Sequence, residues 1–264
     1  MNAKISVVIP TYKEVTKLQD YERALIDRVS KVFKEYTLYF VLPERLLSEY
    51  KSFENFKIIS FKDWYFTDKN TYSKLLTSIN FYEHFSDFDY MQIIQLDCWV
   101  FENRLSYFTN LSYDYIGAPW MLNGFEGKPK KQLWKVGNGG FSLRKIATFI
   151  KILNTIKCKP VGKLPVFKEF NNNIFQWFKN KGFRNNLRHY LKKAPGEDIF
   201  WSIYIPNIFC NDEFKISDPI TASFYSYEVF PEFLYNEITN RQLPMGCHNW
   251  MNNDSSFWKK YIQI

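Results

Sequence analysis

Hydrophobic residues in the first hundred positions form short apolar runs that alternate with longer amphipathic stretches. The short runs predict β-strands, because β-branched and aromatic residues dominate them and turn residues end them. In the longer stretches apolar side chains recur every three or four positions, which predicts helices with one buried face. The predicted strands cover 5–10, 37–42, 56–61 and 90–96, and the predicted helices cover 15–33 and 71–85.

This alternation of strands and helices predicts a parallel sheet joined by right-handed crossovers. The carboxyl ends of parallel strands meet at one edge, where ligands of open α/β sheets bind. Residues 11–13 follow the first strand and Asp97 follows the fourth, so both belong to that edge. An alternative explanation for Asp97 is that it only caps a loop or the next helix. The sequence has neither a GxGxxG motif after the first strand nor a P-loop, which argues against dinucleotide-binding and P-loop sites.

The second half contains three polar motifs between apolar segments. Three glycines within 137–140 predict a tight loop that enters a strand, followed by a helix over 145–156. Glu197 and Asp198 begin a predicted short helix, where the dipole favours carboxylates; they are a capping pair or a general base. His248 lies in a polar turn and is either a hydrogen-bonding residue or a ligand.

The charge changes this picture in one segment. The net charge of the 264 residues is +8, yet residues 144–193 alone contain 13 Lys and Arg and one acid, interleaved with aromatic residues. This basic, aromatic segment is typical of contact with an anionic membrane surface or a lipid-linked anionic substrate. It also suits single-stranded nucleic acid, or it is a solvated insertion.

The cysteines and the length of the apolar runs indicate the cellular compartment. The four cysteines lack zinc spacing, and a reducing cytoplasm is the simpler setting. No apolar run reaches the roughly 20 residues of a membrane helix. We expect a cytoplasmic protein that is soluble or peripheral on the inner membrane face.

Taken together, these features resemble GT-A type glycosyltransferases. More closely, the chain resembles a family of bacterial glycosyltransferases from capsule and lipopolysaccharide loci, long described as a domain of unknown function. The segments that carry the resemblance are 8–13, 73–75, 81–82, 95–97, 113–120, 137–144, 197–198 and 248–250. The resemblance implies an α/β, GT-A-like single domain over 1–264 with a Rossmann-like, mostly parallel central sheet flanked by helices. Residues 1–110 form its nucleotide-binding half and 111–264 its acceptor and catalytic half, which carries a basic, aromatic insertion over about 145–193.

The resemblance also implies roles for individual residues. Asp198 is the catalytic base of an inverting transfer, and Glu197 binds hydroxyl groups. Trp120 and Trp250 stack on the acceptor; both also fit a core position. The residues implied to bind the nucleotide sugar are Pro10, Thr11, Tyr12, Lys13, Lys74, Asp97, Gly139 and Gly140.

The metal site departs from the family pattern. Asp97 takes the place of the Asp-x-Asp motif, but Trp99 stands where the second acid is expected. Asp97 and His248 together with the diphosphate are then the candidates to hold Mn²⁺ or Mg²⁺. Without a metal, Lys and Arg side chains must offset the charge of the leaving diphosphate.

The function implied is transfer of a hexose from a nucleotide sugar, UDP-linked, to a saccharide hydroxyl in surface polysaccharide synthesis. The acceptor implied is linked to undecaprenyl diphosphate at an anionic membrane surface. A competing hypothesis is a non-catalytic module that binds RNA or anionic glycan through residues 144–193. It does not explain the acids at Asp97, Glu197 and Asp198, so no nucleic acid partner is expected. A nucleotidyltransferase would need a glycine-rich basic loop after the first strand, and residues 11–14 lack one.

Overall fold

The computed structural model describes residues 3–124, 127–156, 187–209 and 212–264. Its centre is a six-stranded sheet in the order β3-β2-β1-β4-β9-β6. The described strands are β1 (Ile5–Pro10), β2 (Thr37–Pro43), β3 (Phe56–Phe61), β4 (Tyr90–Ile94), β5 (Trp99–Val100), β6 (Tyr115–Ile116), β7 (Ala118–Met121), β8 (Leu133–Gly137), β9 (Phe141–Lys145), β10 (Ser226–Tyr227) and β11 (Gly246–Cys247).

The first four strands of the central sheet are parallel, as predicted. β1 pairs with β2 on one side and with β4 on the other, and β2 pairs with β3. β9 is antiparallel to both β4 and β6. The carboxyl ends of β1 and β4 therefore lie side by side at one edge of the sheet.

The predicted helices form with two changes. The helix predicted over 15–33 begins as a 3₁₀ turn, and its α-helical part starts at Asp20 after a capping box of Gln19 and Glu22. The helix predicted over 71–85 is wrong as a single element, since it is two short helices. The Ser78 hydroxyl caps the second of them by accepting from the backbone of Phe81.

The described helices include two π-helical segments. Residues 197–208 form one continuous helical stretch, whose middle turn, Phe200–Tyr204, is a π-helix, as is Leu234–Ile238. The α-helical bounds are Asp20–Val32, Leu47–Tyr50, Lys69–Leu75, Ile79–Glu83, Leu105–Asn110, Ile146–Leu153, Leu187–Lys193, Glu197–Ile199, Ile205–Ile208, Pro219–Tyr225, Pro231–Phe233 and Ser255–Trp258.

The loop after β4 differs from the predicted strand 90–96. β4 ends at Ile94, and the chain then turns, with the Cys98 amide donating to the Gln95 carbonyl over 3.0 Å. The Gln95 amide donates to the Gly140 carbonyl over 2.8 Å, which ties this turn to the glycine loop. Asp97 therefore lies within a braced turn.

A small three-stranded sheet brings the end of the chain to the same edge. Its order is β10-β11-β5, and Cys247 in β11 is opposite Trp99 in β5. Asp97 lies two residues before Trp99, and His248 directly follows Cys247. The register of this pairing places Asp97 and His248 next to each other.

Alternate side chains of the central strands contribute to two hydrophobic clusters, as a pleated sheet requires. Val7 and Ile9 of β1 pack in one cluster with Leu25 of the first helix. Val8 packs in the other cluster with Phe81 of a later helix. Helices thus cover both faces, and the predicted α/β fold with a mostly parallel central sheet is confirmed.

The structure describes only part of the predicted insertion and two of the four cysteines. Residues 157–186, the larger part of the predicted basic insertion, and also Cys158 and Cys210, lie outside the described residues. Cys98 and Cys247 are buried free thiols. None of the helices in the described ranges has the length and apolar character to span a membrane.

Candidate active site

A cavity of about 510 Å³ lies at the carboxyl edge of β1 and β4. Five residues predicted to bind a nucleotide sugar line this edge cavity together: Pro10, Thr11, Tyr12, Lys13 and Asp97. Its other lining residues are Tyr21, Glu22, Phe66, Thr67, Asp68, Lys69, Tyr72, Gln95, Leu96 and Asn252. The ligand position expected from the strand order is therefore an actual concavity with polar and aromatic walls.

The three residues after β1 differ in what they offer a ligand. Thr11 is 2% exposed, and its hydroxyl shares a 3.1 Å hydrogen bond with that of Tyr50. Tyr12 is 59% exposed, so its ring is free to contact a planar group. Thr11 therefore anchors the loop, and Tyr12 is the surface that a base can reach.

Lys13 is already engaged within the protein. Its ammonium lies 2.6 Å from a carboxylate oxygen of the buried Glu22. Burial acts to lower the pKa of Lys13, but the hydrogen bond and the charge of Glu22 more than offset it, and the pKa is raised. Lys13 remains a cation whose charge Glu22 largely balances.

His248 bridges two carboxylates, that of Asp97, which lines the edge cavity, and that of Glu228. Its Nδ1 lies 3.2 Å from Glu228 Oε1, and its Nε2 lies 3.3 Å from Asp97 Oδ1 and 3.2 Å from Gln95 Oε1. Burial acts to lower the pKa of His248, but hydrogen bonds and charges from Asp97 and Glu228 raise it to about 10. The same contact, against the effect of burial, lowers the pKa of Asp97. Without a bound cation the three groups form a charged triad.

These residues fit a divalent cation. The ligand atoms of Asp97, Cys98 and His248 lie within 4.8 Å of one another. Asp97 Oδ1 is buried and, apart from its 3.3 Å contact with His248 Nε2, meets no hydrogen-bond donor among the described residues. A carboxylate at the second nitrogen, here Glu228, is the usual support of a metal-binding histidine.

Cys98 is the weakest of the three candidate ligands. Its thiol donates to the Gly140 carbonyl over 3.3 Å, and burial raises its pKa well above the ordinary value. A protonated sulfur is a poor ligand for Mg²⁺ or Mn²⁺, which prefer oxygen. A cation at this position would therefore be held by Asp97 and His248, and the metal site predicted from the sequence stays a prediction.

The two glycines of the 137–140 loop make room for site side chains. A methyl group at Gly139 would collide with the Glu197 carboxylate, and one at Gly140 would collide with the His248 imidazole. The proximity of these side chains is a physical reason for both glycines. Their predicted contact with a donor sugar stays a prediction.

The buried Arg144 forms an ion pair with the Glu197 carboxylate. Arg144, which is 0% exposed, donates to Glu197 Oε1 over 3.0 Å, to the Tyr82 hydroxyl over 2.9 Å and to the Ser142 hydroxyl over 3.0 Å. Burial raises the pKa of Glu197, and the Arg144 guanidinium acts in the opposite direction without offsetting it. Glu197 Oε2 is buried and has no hydrogen-bond partner among the described residues. One oxygen is thus fixed to Arg144, while the other remains available.

Asp198 is the less constrained of the two acids. Its Oδ1 accepts from the Ile199 amide over 2.8 Å. Burial raises the pKa of Asp198, Glu228 adds to the rise, and Lys69 and Arg144 partly counter it. A carboxylate with a raised pKa is a stronger base, as a general base requires.

Eight predicted site residues do not line the edge cavity: Lys74, Trp120, Gly139, Gly140, Glu197, Asp198, His248 and Trp250. Trp120 and Trp250 are 8% and 5% exposed and belong to the hydrophobic clusters, so stacking on an acceptor is not supported by their positions. Lys74 is exposed but does not line the edge cavity, since its ammonium lies 5.0 Å from the centre of the Trp64 ring. Lys69, five residues earlier on the same helix, lines the cavity instead.

Several site residues were missed from the sequence. Arg144 ends the recognised 137–144 motif, and its position there was a usable signal. Glu228 follows a two-residue strand, and no sequence pattern indicated its place in the site. Lys69 lies at the first position of its helix, which sequence periodicity did not locate.

Gly140→Ala is expected to destabilise the fold by about 1–3 kcal/mol, because the added methyl group displaces His248 or the loop. Gly124→Ala is the matched control, since a methyl group there meets no atom within 4 Å. Urea unfolding of both variants measures the difference. Equal urea midpoints for the two variants would show that the loop accommodates the methyl group at residue 140 without loss of stability.

The sequence identifies the family of the chain. A family model described as "Protein of unknown function (DUF5672)" matches residues 55–248, well over half of the chain. The chain belongs to this family, and the resemblance to a family of unknown function is confirmed. Among curated proteins, no match was found.

Solved structures with a similar fold include several glycosyltransferases. One involved in the glycosylation of the major capsid of PBCV-1 is 12% identical, with 97% of this chain and 98% of that chain covered and a TM-score of 0.48. Mouse xyloside xylosyltransferase 1 is 12% identical, with 94% and 97% covered and a TM-score of 0.49. Galactosyltransferase LgtC, in complex with donor and acceptor sugar analogs, is 11% identical, with 92% and 86% covered and a TM-score of 0.46. At these identities and TM-scores, the similarities determine neither the activity nor the substrate of this chain.

Proposed function

We propose that the chain is a glycosyltransferase that moves a hexose from a nucleotide sugar to a hydroxyl group of a saccharide. The observation that carries the proposal is the edge cavity, which Tyr12 and Asp97 line. Asp97 contacts His248, which lies against Gly140, and the neighbouring Gly139 lies against Glu197, the residue before Asp198. An exposed ring suits a base, an acid at a strand end suits a ribose or a metal, and the buried pair suits proton transfer. The family resemblance implies UDP as the nucleotide.

In the proposed reaction Asp198 accepts the proton of the acceptor hydroxyl. The acceptor oxygen forms a bond to the anomeric carbon as the bond from that carbon to the diphosphate breaks. The electron pair of the broken bond leaves with the nucleoside diphosphate, and the anomeric centre inverts. Glu197, fixed by Arg144, orients hydroxyl groups of the sugar.

Asp97 and His248 would hold Mg²⁺ or Mn²⁺, with Glu228 orienting the imidazole. A cation bound there supplies positive charge against the leaving diphosphate. Because His248 is protonated without it, metal binding must release a proton, and metal affinity rises with pH.

The wider context of the proposal comes from the sequence. A single domain over 1–264 acts in surface polysaccharide synthesis in the cytoplasm, on an acceptor linked to undecaprenyl diphosphate. The 13 basic residues of the 144–193 segment support attraction to an anionic membrane surface.

A thermal-shift panel of UDP, GDP, CMP and their sugars, each with Mn²⁺, Mg²⁺ or EDTA, tests the proposal. A ligand at a hundred times its dissociation constant stabilises the folded state by about 2.7 kcal/mol. We expect UDP and a UDP-sugar to raise the melting temperature, more with metal than with EDTA. Silence across the panel, with binding of RNA or anionic glycan that weakens steeply with salt, would favour the binding-module alternative.

A further inference from the structure

The edge cavity is lined by five charged residues: Lys13, Glu22, Asp68, Lys69 and Asp97. Four of them are already engaged within the protein. Lys13 pairs with Glu22, and Asp97 lies 3.3 Å from the His248 imidazole. The Asp68 carboxylate accepts from two backbone amides at the start of the Lys69–Leu75 helix, at 2.7 and 3.0 Å.

Lys69 is the exception. It is exposed at the cavity wall and forms no hydrogen bond or ion pair with the residues that the structure describes. It also gains nothing from its place at the first helical position, because the helix dipole favours acids there. Its ammonium is therefore available to a ligand and is not required by the fold.

We propose that Lys69 contacts the diphosphate of the nucleotide sugar, the role predicted from the sequence for Lys74. The proposal rests on the proposed function. The diphosphate is the anionic part of such a substrate, and an uncompensated ammonium is the group that recognises it. Lys74 is directed to the Trp64 ring, outside the cavity lining.

Lys69 also lies within electrostatic reach of Asp198, whose pKa its charge acts to lower against the larger effect of burial. The ammonium is thus close to the proposed base as well as to the nucleotide pocket. In the transfer, negative charge develops on the oxygen between the anomeric carbon and the phosphorus. Lys69 offsets that charge in addition to any cation on Asp97 and His248.

The test measures dissociation constants by titration calorimetry for uridine, UMP and UDP, each with Mg²⁺. The variants are Lys69→Met, Lys69→Arg, Lys74→Met and, as a control outside the cavity lining, Lys62→Met. We expect Lys69→Met to weaken UDP binding about ten-fold or more and UMP binding less, with uridine unchanged. Lys69→Arg retains most of the affinity, and Lys74→Met and Lys62→Met match the unaltered protein.

The possible failures are distinguishable. If the unaltered protein binds UDP and Lys69→Met binds it equally well, the role of Lys69 is wrong and the proposed function stands. A loss of equal size in Lys62→Met would indicate a general charge effect and also overturn the role. If the unaltered protein binds none of uridine, UMP and UDP and responds to no nucleotide of the thermal-shift panel, the proposed function fails and the role of Lys69 fails with it.

Discussion

Asp198→Asn is expected to lower the transferase rate about 10²–10⁴-fold, because the amide cannot accept the proton of the acceptor hydroxyl. The substitution keeps the size of the side chain and leaves an oxygen to accept from the Ile199 amide, so the fold and nucleotide affinity are retained. The measurement is the initial rate of sugar transfer at saturating donor, with UDP binding as the check on folding. Asp87→Asn, at an exposed site, is the control and retains full activity.

The pH profile gives a second test of the same assignment. A base must be deprotonated to act, so the rate falls as the pH drops through the pKa of Asp198. Burial raises that pKa above its ordinary value. The acidic limb of kcat/KM therefore lies at higher pH than that of an unperturbed aspartate, which is about pH 4. Full activity in Asp198→Asn, or a flat profile down to that pH, would refute the assignment.

Arg144→Met is expected to destabilise the protein by about 3–5 kcal/mol, since it leaves the buried Glu197 carboxylate without its cation. The substitution also removes the hydrogen bonds that Arg144 donates to Tyr82 and Ser142. Urea unfolding followed by circular dichroism measures the loss.

Two further variants separate charge from packing. Lys145→Met alters the neighbouring lysine, which is 40% exposed and lies 3.9 Å from Asp114, and is expected to cost at most about 1 kcal/mol. Adding Glu197→Gln to Arg144→Met removes the unpaired charge and recovers part of the stability. If Arg144→Met and Lys145→Met cost the same, the buried pair does not stabilise the fold.

The periodicity of the sequence was sufficient for the parallel half of the fold. β1 and β3 have the predicted bounds, because β-branched apolar residues at their centres and polar residues beyond their ends leave little choice of strand. The meeting of the 11–13 loop with Asp97 followed from one geometric rule, that parallel strands end at one edge. These parts depend on local pattern and on topology, which a single sequence carries.

The remaining parts of the site depend on tertiary contacts. Helical spacing continued across Ser78, yet its hydroxyl caps a new helix. The helix that contains Lys74 begins earlier than predicted, at Lys69, and of these two lysines Lys69 lines the edge cavity. Arg144 has a polar side chain in a strand, and only packing shows that it lies beneath Glu197. Trp120 and Trp250 are equally plausible in a core and at a sugar site by composition, and their burial decides.

The small sheet that carries His248 has a consequence for the order of assembly during synthesis. β1 and β4 can pair once about the first hundred residues have emerged, but Asp97 gains His248 only after β11 pairs with β5. At about 5–20 residues per second, roughly 8–30 s separate the synthesis of the two residues. For that interval the nascent chain carries Asp97 without its contact to His248. The two candidate cation ligands come together only when β11 has joined the small sheet.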